Sequence, residues 1–109
     1  MQSYESMLDA LRATGIPFAE YAWENAADMM EDYGVVEPDM EHTLYGDGTP
    51  VETCTIGTVD LFLRRPDQTK VDAVQNVLFG SDEIAAEPWT LAYESDRRVL
   101  HYQWVFWTC

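Results

Sequence analysis

"HYQWVFWTC", residues 101–109, is the stretch whose reading decides the rest of this sequence. In an extended chain alternate side chains face opposite ways, so Tyr102, Trp104 and Phe106 line one face while Val105 and Trp107 line the other. Both faces carry bulk. An antiparallel sheet ordinarily turns one face to its core and the other to water. The aromatic row is the natural inward face, which makes Val105 and Trp107 the candidate contact residues, since an exposed apolar patch marks a partner surface. A chain segment such as residues 24–32, folded over them, is the plain alternative.

Upstream, the same alternation predicts a strand over Trp89 to Tyr93, joined by the charged turn "ESDRR" to one over Val99 to Trp107. Val59, Leu61 and Leu63 share one face of a segment from about Val51 to Arg65. Gly46-Asp47-Gly48 supplies the positive φ values that a hairpin turn demands, and pairs that segment with Tyr33 to Tyr45. Pro38 confines this partner to an edge or a bulge. "IPFAEYAWEN" reads as a further strand in which Ala19, Tyr21 and Trp23 share one face, with Phe18 out of phase. "AADMMED" reads as loop.

Two stripes have the helical period instead. Tyr4, Met7, Leu8 and Leu11 follow i, i+3, i+4, i+7, with Ser3 as N-cap and Gly15 as stop, predicting a helix over Ser3 to Ala13. Val71, Val74, Val77 and Leu78 form the second, opened by Pro66-Asp67 and ended at Gly80. The order α-β-β-β-α-β-β predicts an α+β domain spanning residues 1–109, an antiparallel sheet of about five strands with both helices on one face. Leu61, Leu63, Val74, Leu78, Trp104 and Phe106 are its expected core.

A formal charge of −14 on 109 residues excludes more functions than it suggests. Residues 1–63 hold thirteen Asp or Glu against Arg12 alone, and residues 64–109 hold seven against five Lys or Arg. A duplex phosphate backbone repels such a surface, so direct nucleic-acid binding is not expected. No apolar run approaches the roughly 20 residues of a spanning helix, and no basic segment precedes an apolar one, which predicts a cytosolic chain outside the membrane. In a reducing cytosol Cys54 and Cys109 are expected as thiols rather than as a bridge.

Catalytic signals are absent: there is no G-x-S-x-G, P-loop, G-x-G-x-x-G or CxxC, and Cys54 has no histidine near it in sequence. The expectation is a chain that is not an enzyme and holds no cofactor or metal. His101, in mid-strand, reads as a satisfied structural imidazole. Glu37, Asp39 and Glu41, on one side of an extended segment beside His42, supply too few converging ligands for a cation. With Asp47 and Glu52 they read as an acidic surface.

"TGIPFAEYAWENA", "DYGVV", "GTVDLFLRR" and "YESDRRVLHYQWVFW" together resemble the successive blocks of a small structural protein of tailed phages and prophages of Gram-positive bacteria, similar to the tail terminator, or tail-completion, proteins. The resemblance spans nearly the whole chain and rests on structural patterns. It implies an α+β subunit that assembles with itself as a ring, commonly six-fold, on the head-proximal end of the tail tube. There it would meet the tail tube protein and the head-tail connector, in the host cytoplasm during assembly and then in the virion tail. "ENAADMMED" is longer than that pattern expects. Two rival readings fit the charge: an acidic DNA mimic that inhibits a host nuclease or defence protein, and a plain domain whose acidity maintains solubility.

Overall fold

The computed structural model describes residues 3–23, 31–46 and 49–109, and for residues 40–53 the backbone alone. Helix α1 (Ser3–Arg12) buries Met7, Leu8 and Leu11, the predicted stripe. Ser3 lies in its first turn, where the hydroxyl donates to Glu83 at 3.2 Å. Past the helix, the Thr14 hydroxyl donates to the Leu11 carbonyl at 2.6 Å, and Gly15 takes φ 88°, a left-handed conformation that a Cβ would penalise. Helix α2 (Gln68–Phe79) begins at Asp67, whose carboxylate accepts from the amides of Thr69 (3.1 Å) and Lys70 (3.4 Å). Those are the amides that the helix itself leaves without partners.

Six strands form one sheet: β1 (Phe18–Glu20), β2 (Tyr33–Gly46), β3 (Thr49–Leu63), β4 (Ile84–Ala86), β5 (Thr90–Glu94) and β6 (Val99–Thr108). Their spatial order is β1-β2-β3-β6, with β4 and β5 sharing the far edge of β6. Three expectations are corrected here. Among the described residues there are six strands rather than about five, because β4 was too short to show as alternation. The sheet is mixed rather than antiparallel, since β1 runs parallel to β2. The chain order is accordingly α-β-β-β-α-β-β-β.

β1 also reverses the expected faces. Tyr21, at φ 69°, ends the strand and is exposed, whereas the out-of-phase Phe18 is the core residue. Phe18 pairs with Gly34, and a Cβ built at Gly34 would come within 2.1 Å of the Phe18 ring. Glycine at position 34 therefore lets a phenylalanine lie flat against the neighbouring strand.

β3 and β6 pair without interruption from Thr55↔Thr108 to Leu63↔Leu100. On the other side of β6 the register shifts by one between Ala86↔Phe106 and Thr90↔Gln103, so residues 87–89 oppose only Trp104 and Val105. Pro88 occupies this bulge, where a residue without an amide hydrogen is tolerated. Pro38 stands at a second register shift, between Pro38 and Met40, as its sequence position predicts. At that shift Asp39 is the extra residue, so position 37 pairs with Thr58 and position 41 with Thr55, and the strict alternation expected through Asp39 is interrupted.

Both helices cover the same face. Met7, Leu8 and Leu11 from α1 and Val71, Val74 and Leu78 from α2 pack in one cluster with Val59, Leu61, Leu63, Tyr102, Trp104 and Phe106. The six residues expected to pack together are all in it, each at most 1% exposed. Replacing Trp104 by Ala should cost about 3–5 kcal/mol, a large fraction of the stability of a domain this size. Denaturant unfolding measures it, and an unchanged midpoint would disprove the β3–β6 register.

Candidate functional site

The sheet face opposite the helices is built from β2, β3 and β6 and divides into two halves. In one half the registers Tyr33↔Phe62 and Phe62↔His101 place three rings in a row across three strands. Tyr33 and Phe62 stack with centroids 4.8 Å apart, and Phe62 and His101 at 4.3 Å. The β5–β6 turn closes with Arg98 left-handed at φ 55°. The guanidinium of Arg97 lies 5.3 Å over Phe62 and 5.7 Å over Tyr33, donates to the Tyr33 hydroxyl and pairs with Glu94 at 3.4 Å. A cation over aromatic faces is attracted by their quadrupoles.

Beneath this stack sits Asp60, a carboxylate only 5% exposed. It accepts from His101 Nε2 at 2.6 Å, Gln103 Nε2 at 2.9 Å and Thr58 Oγ1 at 3.2 Å. His101 Nδ1 lies 3.0 Å from Glu94. The bond to Asp60 raises the His101 pKa above its ordinary value, against burial, which lowers it, and the charges of Asp60 and Glu94 act in the same direction as the bond. When protonated, the imidazole donates through both nitrogens, and its charge then compensates that of the buried Asp60 carboxylate. Both ring nitrogens thus have a carboxylate partner, at 2.6 and 3.0 Å. This agrees with the structural imidazole read from the sequence.

Trp23 donates from its indole to the Gly34 carbonyl at 3.0 Å and packs on Tyr33 and Val35. Together with Tyr21, Glu37 and the His101–Asp60 pair it lines a shallow cavity of about 250 Å³. Glu37 is exposed and its pKa is raised, first by desolvation, then by repulsion from Asp60 and Asp39. Asp39 is exposed as well. The side chains of Glu41, His42, Asp47 and Glu52, and the expected loop "AADMM", lie outside the described residues. Among the described residues no group of three or more His, Cys, Asp or Glu is arranged to hold a metal.

The other half of this face is apolar. Ile56 pairs with Trp107, and Thr58 with Val105. Val105 is 39% exposed and Trp107 51%. Of the alternative cover, residues 24–32, residues 24–30 lie outside the described residues, and Asp32 pairs with Lys70 of α2 at 2.6 Å. One step beyond Thr55↔Thr108, Cys54 and Cys109 form a disulfide, which corrects the expectation of two thiols. Strand register opposes two cysteines that lie 55 residues apart in sequence, with Cα atoms 3.9 Å apart. The Trp107 indole donates to Cys109 Sγ at 3.2 Å. Past the bridge, β2 and β3 continue as a ribbon that, among the described residues, is paired only with itself, through Gly46↔Thr49.

Sequence reading had singled out Val105, Trp107 and the carboxylates, but not the Asp60 network. A signal existed: Asp60 is the one charge inside the apolar alternation "TVDLFL", and His101 is the one titratable imidazole on the strand that pairs with it. Because the His101 pKa is raised on folding, its stabilisation is fully present below the unfolded value of about 6.5 and is lost as pH rises through the higher folded value. The melting temperature of the protein should therefore fall between about pH 6 and the raised His101 pKa, and His101→Gln should flatten that fall. Parallel pH profiles of melting for the two proteins provide the check.

No known protein family matches this chain, and no curated protein matches it either.

Proposed function

We propose that this chain is a structural subunit of a phage tail, a terminator that assembles as a ring at the head-proximal end of the tube and meets the tube protein and the head connector. The observation that carries the reading is the exposed pair Val105 and Trp107 on a strand whose other face is buried from Tyr102 to Thr108. A ring of heterologous contacts gives such a row somewhere to bury. Aromatic anchors at the centre of an interface typically contribute above roughly 2 kcal/mol each. The acidity supports the same reading, because a lumen lined by carboxylates repels DNA and lets a genome pass without adhering.

Trp107→Ala tests the contact. The variant should keep the melting temperature of the wild type while ring formation falls and tubes of uncontrolled length appear in a tail-assembly assay. A destabilised variant that still completes tails normally would assign Trp107 to the fold of its own chain instead. The lumen is tested separately by reversing Glu37, Asp39 and Glu41 to Lys. Folding should survive, and DNA should now adhere weakly, with an affinity that falls as salt is raised. Unaltered DNA passage in phage carrying this triple reversal would remove the acidic lumen from the proposal.

A further inference from the structure

The outer edge of β5 combines three properties that sheet proteins normally keep apart. It is open: among the described residues β5 pairs with β6 alone. It is apolar, with Leu91 (48% exposed) and Tyr93 (60%) on the side of the sheet that the helices occupy, beyond the helices' reach. And it lacks the usual protection, since "TLAYE" holds no Lys, Arg or Pro, and its single charge is the terminal Glu94. An unguarded edge of this kind is a template for another strand. The opposite edge of the sheet differs: β1 is three residues long, ends at the left-handed Tyr21 and carries Glu20.

We infer that β5 pairs antiparallel with β5 of a second copy of this chain, about a two-fold axis through Ala92, to make one continuous sheet from two subunits. Charge favours a second copy as the occupant. Residues 84–109 hold three carboxylates (Glu87, Glu94, Asp96) against Arg97 and Arg98, a net of −1, so the remaining −13 of the chain lies in residues 1–83. A basic partner is drawn to that remainder, whereas two copies approach each other best where each is nearly neutral. The strand is also complementary to itself. Centred on Ala92, the pairing sets Leu91 against Tyr93 of the other copy twice, and Thr90 against Glu94 twice, so no like charges oppose. Directly opposed residues share a face, so the helices of both copies fall on one side and the two apolar rows merge. Such an isologous contact is distinct from the Val105–Trp107 surface and does not depend on a phage role.

Sedimentation equilibrium of the full chain tests the pairing. The wild type should approach twice 12.5 kDa at tens of micromolar, and the doubly substituted Leu91→Lys, Tyr93→Lys protein should sediment at 12.5 kDa with an unchanged melting curve. If the wild type forms a larger assembly, the double variant should break it into smaller units. A wild type that stays at 12.5 kDa up to several hundred micromolar, or a double variant that keeps the wild-type mass, overturns the inference. Hydrogen exchange of the wild type alone guards against a misfolded variant: amides of residues 90–94 should exchange about tenfold more slowly at high than at low protein concentration, and equal rates overturn it. Register is read by oxidation. Ala92→Cys should cross-link to a dimer and Thr90→Cys should not, while equal cross-linking at both positions excludes the axis through Ala92.

Discussion

The uninterrupted pairing of β3 with β6 is the constraint from which the remaining structure follows. Because nine successive residue pairs hold one register, Val59 must face the same way as Trp104, and Asp60 the same way as Gln103. The first alignment makes the floor on which both helices pack. The second brings a carboxylate and an imidazole to the opposite face, 41 residues apart in sequence. A slip of β3 by one residue against β6 would turn Asp60 to the side of Trp104 and bury it under the helices.

A buried carboxylate is a poor neighbour for an aromatic stack unless its charge is met. Asp60 is met three times, and one of its donors is the ring that continues the stack. Electrostatics and aromatic packing are thus joined in one side chain. Arg97 performs the same double service from above, bonded to the Tyr33 hydroxyl and lying over the rings, and Glu94 links Arg97 to His101. The outcome is a polar cluster on an open sheet face that is satisfied internally, beside an apolar row that is not.

Where the chain has long periodic segments, its structure was legible. Met7, Leu8 and Leu11, Val74 and Leu78, and the alternation from Tyr102 to Phe106 each repeat often enough for the buried face to be read directly. Short elements were not legible. β1 has three residues, too few to establish a phase, and the bulky Tyr21 and Trp23 beyond it outvoted Phe18, although Tyr21 has left the strand. β4 exists because β6 offers it an edge. Pro38 announced an edge or a bulge, but not that Asp39 would be the extra residue at the shift. Cys54 and Cys109 were separable from free thiols only by knowing which strands are neighbours. At the candidate site, Val105 and Trp107 were visible as an excess of bulk. The partnership of His101 with Asp60 was not, since only the fold brings β3 beside β6.

The disulfide also changes how the β2–β3 ribbon transmits force. The ribbon is a cantilever, and its clamp is covalent on the β3 side through Cys54 and only hydrogen-bonded on the β2 side beyond β1. A load applied along it therefore enters the body through β3 and passes directly into the end of β6. There two strands joined at the loaded end and held in one register by nine residue pairs share it, rather than β3 alone. Cutting the bridge would leave β6 free to peel from its Thr108 end. Reduction would thus weaken the mount of the ribbon without altering the ribbon itself.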